Sequence, residues 1–92
     1  EKAFSLTEIM TAVKRRTGMT LEELRSARKI GVIMESRRMF SSVAREYGYP
    51  GKEIAQYLRK DPAAVTGYCR KDNDLRGEVI EVMESLEKGR SQ

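Results

Sequence analysis

The stretch 51–71, GKEIAQYLRKDPAAVTGYCRK, constrains this chain more than any other. Asp61 is a strong helix N-cap, and Pro62 follows at the first helical position, where its missing N–H costs nothing. A helix therefore starts there. Upstream, Ile54, Ala55 and Leu58 fall on one helical face; downstream, Val65 shares a face with Tyr68 or Cys69. The pattern predicts two short helices joined by a tight turn, with the small Ala55 letting them cross closely. The separation of Ala55 from Val65 is that of a helix-turn-helix, whose second helix enters a DNA groove. The exposed face of that helix would carry Ala63, Ala64, Thr66, Gly67, Arg70 and Lys71. The turn sets Arg59 or Lys60 where glycine is usual, and a left-handed non-glycine residue costs about 1 kcal/mol. An ordinary antiparallel helix pair satisfies the same apolar spacing.

Ninety-two residues are enough for one domain with a small core. No apolar run exceeds three residues, as in Val32-Ile33-Met34, whereas a membrane span needs roughly 18. No signal peptide is evident, and the start at Glu1 rather than Met suggests a fragment of a longer protein. The single cysteine, Cys69, and the absence of histidine argue against a zinc site, an internal disulfide and a histidine general base. Cys69 reads as a small buried hydrophobe in a reducing cytoplasm. The net charge of +4 is unevenly placed. Residues 1–71 hold fifteen Lys/Arg and eight Asp/Glu, whereas residues 72–92 hold three and six. A body at +7 suits a phosphate-binding surface, and the acidic tail is expected to face away from it.

In chain order, residues 1–6 read as a lead-in. Thr7 is expected to cap a helix over 8–17, with Ile9 and Val13 in the core and Gly18 ending it. Thr20 and Glu23 form a capping box that opens a short helix to Ser26, turning Leu21 and Leu24 inward. The basic segment 25–31 lacks periodicity and is expected to be a loop. The longest helix spans 32–47, with Ile33, Phe40, Val43, Ala44 and Tyr47 as its buried stripe, flanked by Met39 or Ser36, and Gly48 as its cap. A last acidic helix spans 74–88, with Leu75, Val79, Val82 or Met83, and Leu86 apolar. The expected fold is an all-α bundle of five to six helices.

Residues 9–71 resemble the C-terminal DNA-binding domain of the bacterial replication initiator DnaA and related domains appended to transposases that process repetitive extragenic elements. The matching pieces are Thr20, Glu23 and Leu24, the loop from Ser26 to Lys29, Arg37, Ala44-Arg45-Glu46, Ile54 and Cys69-Arg70-Lys71. The resemblance implies a bundle of the Trp-repressor-like kind and double-stranded DNA as partner. It departs at the second helix: the family's Arg-Asp-His-Thr-Thr-Val is here Lys60-Asp61-Pro62-Ala63-Ala64-Val65. The His and both Thr, which the family turns to bases and phosphates, are absent, and a turn glycine is missing before Lys60. Ile30, Gly31 and Glu35 replace basic or small polar residues of the family's loop region.

On this reading Lys52, Lys60, Arg70 and Lys71 meet phosphates around the helix pair, joined by Arg28, Lys29, Arg37 and Arg38 from the surface 25–38. Ala63, Ala64, Thr66 and Gly67 face base edges, their methyl groups suited to thymine. Specificity would then rest on Arg70 or on a minor-groove residue such as Arg28. Neither metal nor cofactor is expected, nor an enzyme within this piece, since no nucleophile–base pair or Gly-rich nucleotide loop is present. The expected setting is the bacterial nucleoid, within a transposase or an initiator-like protein whose other domains are further partners. The alternative is a protein-interaction module, for which Ala63, Ala64 and Gly67 would let another helix pack closely.

Overall fold

The computed structural model describes residues 2–70 and 74–90, in six helices: α1 (Leu6–Thr17), α2 (Leu21–Arg25), α3 (Gly31–Glu46), α4 (Gly51–Leu58), α5 (Pro62–Tyr68) and α6 (Arg76–Arg90). No strand occurs among the described residues. Lys71, Asp72 and Asn73, expected to close the helix pair and break before α6, lie outside them.

Local chemistry sets most helix ends. Ser5, not Thr7, caps α1: its hydroxyl accepts from the Glu8 amide at 3.1 Å, and the Glu8 carboxylate accepts from the Ser5 amide at 2.8 Å. Thr7 lies inside the helix, its carbonyl accepting the Thr11 hydroxyl. The expected lead-in is therefore structural. Phe4 is buried and meets Tyr47 edge-on, with ring centroids 5.0 Å apart, and its carbonyl accepts the Tyr49 hydroxyl at 2.7 Å. Thr20 and Glu23 form the expected capping box on α2. Hydrogen bonds from the Thr20 amide and hydroxyl hold the Glu23 carboxyl below its ordinary range.

The central element is α3, which packs against each of the other five helices. Ile33, Phe40, Val43 and Ala44 are fully buried, as their spacing predicts, and Met39 and Ser36 flank them. Tyr47 is only partly buried. The helix ends where Gly48 turns left-handed at φ +95° and the Tyr49 amide reaches back to the Ala44 carbonyl. The same closure ends α4. There Arg59 takes φ 56°, ψ 44°, and the Lys60 amide donates to the Ala55 carbonyl at 3.0 Å. Asp61 then caps α5 by accepting from the Ala63 amide. Ile54, Ala55, Leu58, Val65 and Tyr68 are buried between the pair and α3, whereas Cys69 is half-buried, which settles the open choice between Tyr68 and Cys69.

Helix α6 lies against α1 and α3. Leu75, Val79 and Val82 are buried, and Met83 and Leu86 pack on the core more loosely. Glu81, Glu84 and Glu87 are exposed. Among the described residues no helix is long and apolar enough to cross a membrane.

Candidate nucleic-acid interface

The outer face of α5 is built from small side chains. Ala63, Thr66 and Gly67 are exposed, as is Arg70 just beyond the helix. Ala64 is half-buried and packs against the core, so less of it faces outward than its expected base-reading role requires. The Thr66 hydroxyl donates to the Pro62 carbonyl at 3.2 Å, which leaves it an acceptor toward any partner.

The basic residues divide into those turned inward and those turned outward. Helix α2 has only five residues, and its last carbonyls have no helical partners. Side chains supply them. The Ser26 hydroxyl donates to the Glu23 carbonyl at 2.6 Å. Arg37 donates from Nε to the Leu24 carbonyl at 2.8 Å and from Nη2 to the Ser26 carbonyl at 2.7 Å, while Nη1 lies 3.1 Å from the Met34 sulfur. Arg37 is 2% exposed, so it is not a phosphate contact but the anchor of the segment after α2. Lys60 also donates, through Nζ, to the Ser26 carbonyl, so one of its three N–H donors is spent on holding this segment. Burial lowers its pKa, and the nearby charges of Arg37 and Lys29 push the same way. Arg25 donates to the Tyr57 carbonyl at 2.9 Å, its guanidinium over the Tyr57 ring, which stacks on Phe40. A cation there also suits the C-terminal end of α4.

These inward cations fix where the outward ones stand. Lys60 immediately precedes the cap of α5, so its bond to Ser26 draws the loop 26–30 to the N-terminal end of α5. Arg28 and Lys29 on that loop are exposed, and the Arg28 amide is held by the Ser26 hydroxyl. Lys52 and Arg59 are exposed on and after α4, whereas Arg38 is half-buried.

Sequence reasoning missed Arg45 as a site residue. It is exposed and lines a cleft of about 230 Å³ with Gly51, Val65, Thr66 and Cys69. A Cβ on Gly51 would lie 3.7 Å from its Nη1. Burial raises the Cys69 thiol pKa, and Arg45 opposes that rise. The signal available was a basic residue in the last turn of the helix leading into 51–71. A cavity of about 470 Å³ lies elsewhere, between α1 and α6, and contains none of the expected DNA-contacting residues.

Among the described residues no group of three or more His, Cys, Asp or Glu is placed to hold a metal ion. No family model matches the chain, and no curated protein matches it.

Proposed function

We propose that this chain binds double-stranded DNA, with α4 and α5 acting as a helix-turn-helix and the loop 26–30 as a second point of contact. The observation that carries the reading is the tie between Lys60 and the Ser26 carbonyl. It sets the exposed cations Arg28 and Lys29 beside the N-terminal end of α5, the end a recognition helix points toward base edges. Arg45 lies beside Thr66, and Arg70 stands just beyond the end of α5, so both add positive charge toward the other part of the helix. Phosphate contacts then come from Arg28, Lys29, Arg45, Lys52 and Arg70, and they position the protein without reading sequence. Ala63 and Thr66 offer methyl groups to thymine, so direct readout is sparse and affinity is mainly electrostatic. The resemblance to the initiator and transposase domains suggests the targeting module of a larger nucleoid protein.

The competing reading is a protein-interaction module. It is favoured by the outer face of α5, where a Cβ added at Gly67 would meet nothing within 4 Å and no large polar side chain stands on the helix itself.

Fluorescence-anisotropy titrations with duplex DNA separate the two. With about five phosphates neutralised, affinity falls roughly 500-fold between 50 and 200 mM salt. The variant Arg45→Ala/Arg70→Ala should flatten that dependence. No binding at low salt would leave the protein-interaction reading in its place, and binding indifferent to the double substitution would move the interface from α5 to the loop 26–30.

A further inference from the structure

We infer that the loop 26–30 presents an apolar wedge: Ile30, flanked by Arg28 and Lys29, inserts into the minor groove and unstacks one base step of the bound DNA. The inference rests on the DNA-binding reading above.

Among the described residues three large apolar side chains are exposed, and two of them, Ile30 at 49% and Val32 at 38%, stand at the start of α3. Ile30 is also the N-cap of α3 and makes no side-chain capping bond there. Ser, Thr, Asp or Asn at that position would stabilise the start of the helix. The residue present thus serves neither the core nor the cap. Isoleucine belongs to the set of side chains that proteins drive between base pairs from the minor groove.

Its neighbours fit a polyanion. Arg28 and Lys29 are exposed on the same short loop, and no acidic residue stands in the first turn of α3. Phosphates on either side of an opened step can therefore approach without meeting a carboxylate from that turn. The loop is also held before any partner arrives. Its Ser26 carbonyl accepts from Arg37 and Lys60, and its Ser26 hydroxyl joins the Glu23 carbonyl to the Arg28 amide. A wedge on an ordered loop loses less conformational entropy on insertion than one on a free segment.

The test uses duplexes of about 20 bp containing TA and CA/TG steps, the easily kinked ones, with 2-aminopurine at those steps and a fluorophore pair at the ends. Wild type should brighten 2-aminopurine and bring the ends closer. Ile30→Ser should lose both signals and bind about tenfold more weakly, with a circular-dichroism melt no lower than that of wild type, because serine can cap α3. Ile30→Met, another wedge-competent side chain, should keep both signals.

Salt-dependent binding without unstacking, or unstacking that survives Ile30→Ser, overturns the wedge and leaves the DNA-binding reading standing. Absence of DNA binding overturns both. Ile30-dependent binding to vesicles with about 30% phosphatidylserine, in place of DNA, would then assign the basic, apolar-tipped loop to a membrane surface.

Discussion

The loop 26–30 and helix α6 are both docked on α3, by opposite chemistry. The loop offers almost no apolar surface to the core: residues 27–30 are exposed. It is ordered by cations that donate to backbone carbonyls, Arg37 to Leu24 and Ser26, and Lys60 to Ser26. Helix α6 brings an apolar stripe, with Val79 and Val82 buried. Its polar ties lie nearer solvent: the Tyr47 hydroxyl donates to Glu87 at 3.0 Å, and Arg16 pairs with Glu81 where both side chains are exposed. A segment without apolar area is positioned by hydrogen bonds to its own backbone. A segment with such area needs its polar contacts far less. The same residue type, arginine, is thus structural at Arg37 and peripheral at Arg16.

The largest expected effect follows from Arg37. Truncation in Arg37→Ala leaves the buried Leu24 carbonyl without its donor, and the Ser26 carbonyl with Lys60 alone. Two charge-assisted bonds lost at a buried site cost about 3 kcal/mol. For a domain of this size that lowers the melting temperature by roughly 15 °C. Arg37→Lys keeps the charge but not the two-pronged geometry, so it should recover less than half of the loss. A melting shift within about 2 °C for Arg37→Ala would break the comparison, because the loop would then be ordered by something else.

A smaller effect is expected on the α6 side. Tyr47→Phe removes a hydroxyl contact worth about 1 kcal/mol and leaves the ring on Phe4. Its distinguishing mark is in alkali. Burial, then the hydrogen bond to Glu87 and its charge, push the Tyr47 hydroxyl up to about 12. A folded-state pKa above the unfolded one favours the neutral group, so its stabilisation is complete below pH 10 and lost as pH rises toward 12. Lys60 acts in the other direction. Its lowered pKa makes the folded state gain stability as pH rises toward the ordinary lysine value of 10.5. Urea unfolding at about pH 9 and pH 11 should show a shallower alkaline loss for Tyr47→Phe than for wild type, by less than 1.4 kcal/mol per pH unit because the hydroxyl is partly solvated. Equal alkaline losses in the two proteins would mean that Tyr47 does not titrate through α6 docking.

What was legible in the sequence was local or periodic. The Thr20–Glu23 capping box, the Asp61-Pro62 start and the Ile54, Ala55, Leu58 face each need only a few neighbouring residues, and each is present. Ser5 and Glu8 spell the same capping pattern as Thr20 and Glu23, but Thr7 stands closer to the first periodic apolar residue and competes for the role. The inward turn of Arg37 was written in the periodicity too. Positions 33, 37, 40 and 44 make one helical stripe, and a charged side chain on it was assigned to the surface by type rather than by position. Lys60 carried no such signal. Its partner Ser26 lies 34 residues away, and neither residue belongs to a helix, so only the tertiary fold brings them together. Ala64 was placed too far outward and Arg45 left out of the site for a related reason: the packing of α5 on α3 decides which residues remain open, and the sequence pattern of either helix alone does not.

The smallest expected effect on stability is at the loop's outward pair, and it sharpens the comparison most. Arg28 and Lys29 are exposed, so Arg28→Ala/Lys29→Ala should change unfolding free energy by no more than about 0.5 kcal/mol. If the inward cations exist to hold the outward ones in place, the same variant should show its loss in binding: weaker affinity for duplex DNA and a salt slope reduced by about two. A fall in stability comparable with Arg37→Ala would mean that the loop's outer charges are also structural, and the division between inward and outward cations would fail. Unchanged stability with an unchanged salt slope would keep the division but remove the loop from the interface, placing the phosphate contacts on Lys52, Arg45 and Arg70 around the helix pair. Only unchanged stability with a reduced slope joins the two halves, in which Arg37 and Lys60 order a segment that has no core of its own so that Arg28 and Lys29 meet DNA at a fixed distance from α5.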